Sequence, residues 1–385
     1  MIYLVYINSF NMVFIWIEEK NFIFGYNNDN NKLINNKNIK KVNMFDLDYT
    51  LIKTKSGKKF PIDKNDWELL NPNVKIKLSN IPNYLVGIIS NQKGLKNEKQ
   101  INDWKYKLNS ISQELEIDFV FASLIDDRYR KPLPGSYEYI KEFYKLVDWD
   151  KLELNKNIYY IGDAFGREND FSDTDIKYAL NNEFKFKTPE IFFGFDKNKG
   201  KTCLVNYPII NYFTQQEQIQ LFDELDKEIK KHKKILIITI GFPASGKSFL
   251  RKELVKKYSQ FYYSNNDDIV EKVQSRMLIK KVSLDYDFII DDNTNLDKFV
   301  RDDKLKLFSE YYKIGIWFNY ELDVCFHLNW MRMYWFGGKL LPKVTYYTLR
   351  KKFDSTNLEV GFDKFIKINK IFKEFDLDNK IKYYF

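Results

Sequence analysis

Short apolar runs recur along the chain, each stopping at a polar group, and they alternate with stretches of helical spacing. The run at 42–45 stops at Asp46-Leu47-Asp48, the run at 84–89 at Ser90-Asn91, and the run at 158–161 at Gly162-Asp163. Residues 119–122 form a fourth run, and residues 22–26 read as a short strand before an Asn-rich stretch. Between Gln100 and Leu115 apolar positions return every three to four residues, which predicts a helix. Brief apolar strands separated by helices predict an α/β fold built on a parallel sheet.

The pattern is interrupted and then restarts. Residues 196–201 are polar and contain glycine, and residues 215–234 read as a charged helical connector. A fresh strand at 235–240 opens a second α/β unit, with further strands at 288–290 and 314–318. The expected organisation is therefore two domains, at 1–195 (with an N-terminal extension and strand at 1–40) and at 234–385, joined by a linker at 196–233. A chain of 385 residues with 44% apolar content supports two such cores.

Charge and rare residues narrow the chemistry. The net charge of +9 favours polyanionic partners, because phosphates reward Lys and Arg through counterion release. Cys203 and Cys325 are far apart and form no CxxC, which argues against a disulfide framework or a zinc site. They point to a reducing, intracellular setting, cytoplasmic or nuclear. The histidines are His232, expected to be solvated in a Lys-rich run, and His327, so acid/base work falls to carboxylates. The first 17 residues are apolar but broken by Asn8, Ser9 and Asn11, and they lack the marks of a signal peptide. No stretch is apolar for the roughly 18 residues that a membrane helix needs, and the short stretch before the first unit leads us to expect no partner-recruiting module there. The heavy use of Asn, Lys, Ile, Tyr and Phe reflects an AT-rich coding bias and is compatible with a viral gene.

Asp46 and Asp48 emerge together at the carboxyl edge of the predicted sheet, where open α/β sheets place ligands. Two carboxylates so close call for a cation, and Mg²⁺ suits them. One can attack phosphorus while the other exchanges a proton with the leaving oxygen. Ser90 and Asn91 can bond the moving phosphoryl group, Lys131 can neutralise its charge, and Asp163 offers another metal ligand. In the second unit, Gly241-Phe242-Pro243-Ala244-Ser245-Gly246-Lys247-Ser248 lies between a strand and a helix, as a phosphate-binding P-loop requires. Backbone N–H groups around Gly241, Ser245 and Gly246 would cradle the phosphates of ATP, Lys247 would reach the β- and γ-phosphates, and Ser248 would ligate Mg²⁺. Asp267, after the aromatic residues 261–263, could take a proton from a substrate hydroxyl. Residues 327–332 and 339–353 read as a basic, lid-like helix and loop, with Arg332 neutralising charge in transit.

The first set, Asp46-x-Asp48-x-Thr50 with Ser90, Lys131 and Gly162-Asp163, resembles the haloacid dehalogenase phosphatase superfamily. Phe60-Pro61, Asp66-Trp67, Tyr129-Arg130-Lys131-Pro132, Gly162–Arg167 and Asp170-Phe171-Ser172-Asp173-Thr174-Asp175 narrow the resemblance to the phosphatase half of polynucleotide kinase 3′-phosphatase. Asn265-x-Asp267, Asp292-Asn293-Thr294-Asn295, Asn329 with Arg332, and Tyr347-x-x-Arg350-Lys351 resemble its kinase half. The resemblance implies that Asp46 is the nucleophile and that Asp48 is general acid, then base, and touches Mg²⁺ through its main chain. It makes Asp163 the remaining carboxylate ligand and gives Ser90 and Lys131 the phosphoryl group. In the kinase half it makes Asp267 the general base and Arg332 the lid arginine.

Two positions depart from the family: Tyr49 replaces a usual Gly, and Trp330 stands where a first lid arginine would align. Asp170, Asp173 and Asp175 form an acidic cluster that fits either metal support or loop capping. The resulting expectation is an enzyme that removes a 3′-phosphate and phosphorylates a 5′-hydroxyl on DNA or RNA ends, using Mg²⁺ and ATP. An RNA- or tRNA-healing enzyme, a small-metabolite phosphatase/kinase, and an inactive end-binding protein fit the same residues.

Overall fold

The computed structural model describes residues 14–27, 39–79, 83–195, 211–264 and 286–372. These fall into two compact units, one ending at residue 195 and the other beginning at 211.

The first unit contains β1 (Phe14–Glu18), β2 (Phe22–Asn27), β3 (Lys41–Phe45), β4 (Ile52–Lys53) and β5 (Glu68–Leu69). It continues with β6 (Tyr84–Asn91), β7 (Phe119–Ser123), β8 (Ile158–Ile161) and β9 (Lys185–Lys187). Seven of these form one sheet in the order β1-β2-β7-β6-β3-β8-β9, and β4 pairs with β5 as a small ribbon. The strands from β7 to β9 run parallel, as expected. The edge corrects the expectation of a wholly parallel sheet: β2 is antiparallel to both β1 and β7. A tight turn after Glu18 can only fold β2 back antiparallel, because a parallel partner needs a long crossover.

Both faces of this sheet are covered, which explains why its strands read as unbroken apolar runs. Phe45, Ile88 and Ile161 face Trp104, Leu108 and Ile111 of the helix Glu98–Glu114. Met44, Ile89 and Tyr160 face Ile140 on the other side. Strand β3 is central, with β6 and β8 on either side, so the loops after all three strands open at one edge.

The second unit holds β10 (Ile235–Ile240), β11 (Tyr262–Ser264), β12 (Phe288–Asp291), β13 (Tyr312–Phe318) and β14 (Lys364–Ile368). They form a parallel sheet in the order β11-β12-β10-β13-β14. Like β3, β10 lies between two later strands, leaving an open crevice at its carboxyl end.

The described part of the segment expected as a linker, from residue 211 onward, belongs to this core. The helix Gln215–Lys231 begins at a capping box made by Thr214 and Glu217. It buries Leu221, Leu225 and Ile229 against Ile235 and Ile237. Their spacing of four residues is an apolar stripe that the high charge of the segment masked. No helix among the described residues is long and apolar enough to cross a membrane.

Leu225→Ala should therefore destabilise the second unit by about 2–5 kcal/mol in chemical denaturation. A linker helix would show no loss.

Candidate active site

The acidic residues after β3 and β8 meet at the carboxyl edge of the first sheet. Oxygens of Asp46, Asp163 and Asp175 lie within 4.8 Å of one another. Lys131 is inserted among them, its Nζ donating to Asp46 Oδ1 at 2.6 Å, Asp175 Oδ1 at 2.8 Å and the Tyr160 hydroxyl at 2.6 Å. The Tyr160 hydroxyl donates in turn to the Ile89 carbonyl at 3.1 Å. Asn91 clamps the loop that carries Lys131: its amide accepts from the Lys131 N–H and donates to the Lys131 carbonyl, both at 3.0 Å. Asn91 is thus engaged in positioning Lys131, whereas a phosphoryl contact had been expected for it.

Burial raises the Asp46 carboxyl to about 7 and the Asp163 carboxyl to about 8. Lys131 opposes the rise on both, while the neighbouring carboxylates add to it. Burial alone would lower the Lys131 ammonium, but Asp175 and Asp46 outweigh it and hold it above its ordinary value. Such a set of oxygens, reluctant to be charged together, suits a hard divalent cation.

The structure separates the acidic cluster that the sequence left ambiguous. Asp170 caps its own loop, accepting from the Phe165 and Arg167 N–H groups and pairing with the Arg167 guanidinium. Asp173 lies at the start of the helix Thr174–Asn181 and pairs with Lys177. Only Asp175 reaches the centre, where Lys131 and the Ala164 N–H hold it. Gly162 permits this approach, because a Cβ there would lie 2.3 Å from Asp175 Oδ2.

Asp48 departs from the expected pairing with Asp46. Its side chain stands outside the carboxylate trio, and Gln92 Nε2 donates to its Oδ2 at 3.1 Å and to Ser90 Oγ at 2.9 Å. Lys107 Nζ lies 4.0 Å from Asp48 Oδ1. The two aspartates part because the chain leaves β3 at Phe45, so the strand geometry that would align i and i+2 no longer applies. Thr50 Oγ1 donates to Asp163 Oδ1 at 3.3 Å. Tyr49 occupies left-handed backbone, with φ 58°, and its half-exposed ring reaches the Lys59 carbonyl. The usual glycine of the family would meet no penalty there. Sequence reasoning missed Gln92, Tyr160 and Lys107 because their partners lie far away in the chain.

In the second unit, the loop after β10 turns through left-handed Ala244 and Gly246 (φ 63° and 93°) into the helix Lys247–Lys257. The Gly241 N–H donates to the Thr294 carbonyl at 3.0 Å, and Asn295 Nδ2 to the Thr239 carbonyl at 2.8 Å. These bonds fasten the base of the loop to the end of β12. Lys247 Nζ folds over the loop, donating to the Phe242 carbonyl at 2.7 Å. A cavity of about 410 Å³ opens here, lined by Ser245, Gly246, Lys247 and Ser248 at one end and by Leu328 and Phe372 among its apolar walls.

Arg332 also lines this cavity, and donates to Asn329 Oδ1 at 3.2 Å and to the Lys339 carbonyl at 2.8 Å. Of the two segments expected as a lid, residues 339–353 are exposed or half-buried except Tyr346, whereas the helix that carries Arg332 is packed into the unit. Leu322–Phe336 is largely buried, including His327, and forms part of the core. Trp330 is half-buried and does not line the cavity. Asp267 lies outside the described residues.

A two-unit α/β chain with a carboxylate–lysine centre on one sheet and a glycine-turn cavity on the other defines the class. A family model described as polynucleotide kinase 3 phosphatase matches residues 41–193. The bifunctional polynucleotide phosphatase/kinase of Schizosaccharomyces pombe is 30% identical over 345 residues, covering 85% of this chain and 79% of that protein. A putative bifunctional polynucleotide phosphatase/kinase of Acanthamoeba polyphaga mimivirus is 28% identical over 410 residues, covering 97% of this chain and 94% of its own. A polynucleotide 3′-phosphatase of Saccharomyces cerevisiae is 30% identical over 204 residues, spanning 39% of this chain and 85% of that protein. The chain belongs to the polynucleotide kinase 3′-phosphatase family.

Two outcomes follow. Tyr49→Gly should raise stability by up to about 1 kcal/mol, since it removes left-handed strain from a half-exposed side chain; a loss on thermal melting would show that the ring contributes more than the strain. In metal-free protein, the Asp46 and Asp163 carboxyls keep protons to about pH 7 and 8, which an unfolded chain releases near 3.8. Their contribution is complete below pH 3.8 and is lost as pH rises to about 8, so the melting temperature should fall across that range and Mg²⁺ should restore it at the upper end. A metal-independent, flat profile would show that both groups are already ionised.

Proposed function

We propose that this chain repairs both ends of a broken nucleic-acid strand. The first unit, read as a haloacid dehalogenase-like domain, removes a 3′-phosphate. The second, read as a P-loop kinase, phosphorylates a 5′-hydroxyl from ATP. The observation that carries this reading is the presence of both constructions in one chain, the Lys131-bridged carboxylates and the Lys247 loop.

In the phosphatase reaction, an Asp46 oxygen attacks phosphorus and the bond to the 3′-oxygen breaks. Asp48 gives its proton to that oxygen as it leaves. Water then adds to phosphorus, returns a proton to Asp48 and releases the Asp46 carboxylate with inorganic phosphate. Lys131 balances the phosphoryl charge and keeps Asp46 in place, while Ser90 bonds the phosphoryl oxygens. Asp46 and Asp163, with the Asp48 main chain, would hold Mg²⁺, which when bound neutralises the carboxylates and the phosphoryl oxygens together. Exposed Phe60 and Phe171, both near the Lys59 ammonium, offer rings for stacking on unpaired bases.

In the kinase reaction, the loop from Gly241 to Ser248 receives the ATP phosphates. Lys247 turns from its own loop to the β- and γ-phosphates and Arg332 balances charge on the moving phosphoryl, while Ser248 would hold Mg²⁺, which when bound would neutralise the phosphate oxygens. Asp267 takes the proton of the attacking 5′-hydroxyl as its oxygen bonds to the γ-phosphorus and the bond to the bridging oxygen breaks, releasing ADP.

The test is a nicked duplex carrying a 3′-phosphate and a 5′-hydroxyl, incubated with Mg²⁺ and ATP and resolved on a gel. Asp46→Asn should remove 3′ conversion by at least about 10³-fold and leave 5′ phosphorylation intact; Lys247→Ala should do the reverse. Loss of both activities in either variant, or no conversion by the wild type, would refute the two-site reading.

A further inference from the structure

Lys107 breaks the pattern of its own helix. The helix Glu98–Glu114 buries Trp104, Leu108 and Ile111 on one stripe, and Lys107 lies on that stripe at only 6% exposed. An ammonium group on a core-facing stripe is costly unless an opposite charge meets it. The charge that meets it is Asp48, whose Oδ1 is 4.0 Å from Nζ. The Lys107 side chain is only 7% exposed, so its charge is withheld from bulk solvent, whereas the Asp48 side chain is 47% exposed.

The two oxygens of Asp48 are treated differently. Gln92 occupies Oδ2 with a hydrogen bond at 3.1 Å. Among the described residues, Oδ1 accepts no hydrogen bond and feels Lys107 only across a gap too long for one. One oxygen is tethered, and the other is oriented yet open to a substrate atom.

We propose that Lys107 is a positioning residue for the 3′-phosphatase reaction: its buried charge, with Gln92 on the opposite oxygen, orients Asp48 so that Oδ1 faces the leaving oxygen. The proposal rests on the acid role of Asp48 given above. The step it serves is proton transfer from Asp48 to the leaving oxygen as the phosphorus–oxygen bond breaks and Asp46 becomes phosphorylated.

A leaving group that departs unaided as an anion needs no such proton, and this gives a readout that damage to the fold would not mimic. Lys107→Met keeps the stem and removes the charge. It should be assayed by kcat/KM, which reports the phosphorylation of Asp46, on a nucleoside 3′-monophosphate and on aryl phosphates of graded leaving-group acidity. On the nucleoside substrate kcat/KM should fall roughly 10- to 100-fold, and on p-nitrophenyl phosphate it should stay within about threefold. Lys107→Arg should recover most of the nucleoside activity.

An equal loss across the series would make Lys107 merely structural and overturn the proposal. If the Met variant folds poorly, Lys107→Gln read across the same substrates decides, because the slope does not depend on the fraction of folded enzyme. Asp48→Asn serves as the control and should steepen the same slope. A control without that effect would remove the Asp48 assignment and the Lys107 proposal with it, whereas a normal control beside a flat Lys107 variant would sink the Lys107 proposal alone.

Discussion

The contact of Lys131 with two buried carboxylates is the constraint around which the first unit is built. Three acidic oxygens within 4.8 Å are unstable together in a partly dry site, and one ammonium at 2.6 and 2.8 Å offsets much of that repulsion. Much of the surrounding detail keeps this lysine in place. Asn91 clamps its backbone on both sides, Tyr160 fills its third donor, and Gly162 leaves room for Asp175. Lys131 balances only part of the charge, and two carboxyls remain raised by burial, a donor set that could hold a divalent cation.

Both units solve the placement problem in the same way. A central parallel strand ends between two neighbours, and the polar groups that follow it emerge where no helix covers the sheet. After β3 the chain presents carboxylates. After β10 it presents backbone N–H groups, through the left-handed turns at Ala244 and Gly246. The difference lies in a few residues after the strand, since the strands themselves are interchangeable apolar runs.

Residues that violate local rules cluster around the chemistry. Tyr49 takes a backbone conformation that suits glycine, and Lys107 stands on an apolar stripe. Local propensity and burial would remove both, so the rest of the structure holds them against those preferences. In the second unit the departures are milder. Trp330 is absorbed as a half-buried residue of a largely buried helix, and Arg332 on the same helix still reaches the cavity.

The sequence by itself determined the central strands, the two-unit division and the position of Asp46, Ser90, Asp163 and the Gly241–Ser248 loop at strand ends, but not the edge strands β1, β9 and β14 or the ribbon of β4 and β5. Periodicity and strand termini are local properties, so they survive in a linear pattern. It could not decide which of Asp170, Asp173 and Asp175 belongs to the centre, because that depends on a loop folding back so that only Asp175 meets Lys131. It paired Asp48 with Asp46, where the tertiary structure gives Asp48 to Gln92 and Lys107, residues 44 and more positions away. It read 215–234 as a connector, because charge hid a stripe whose value appears only against the second core. Strand ends are written in the neighbouring residues; partners across a sheet edge are fixed only when strands distant in sequence are packed side by side.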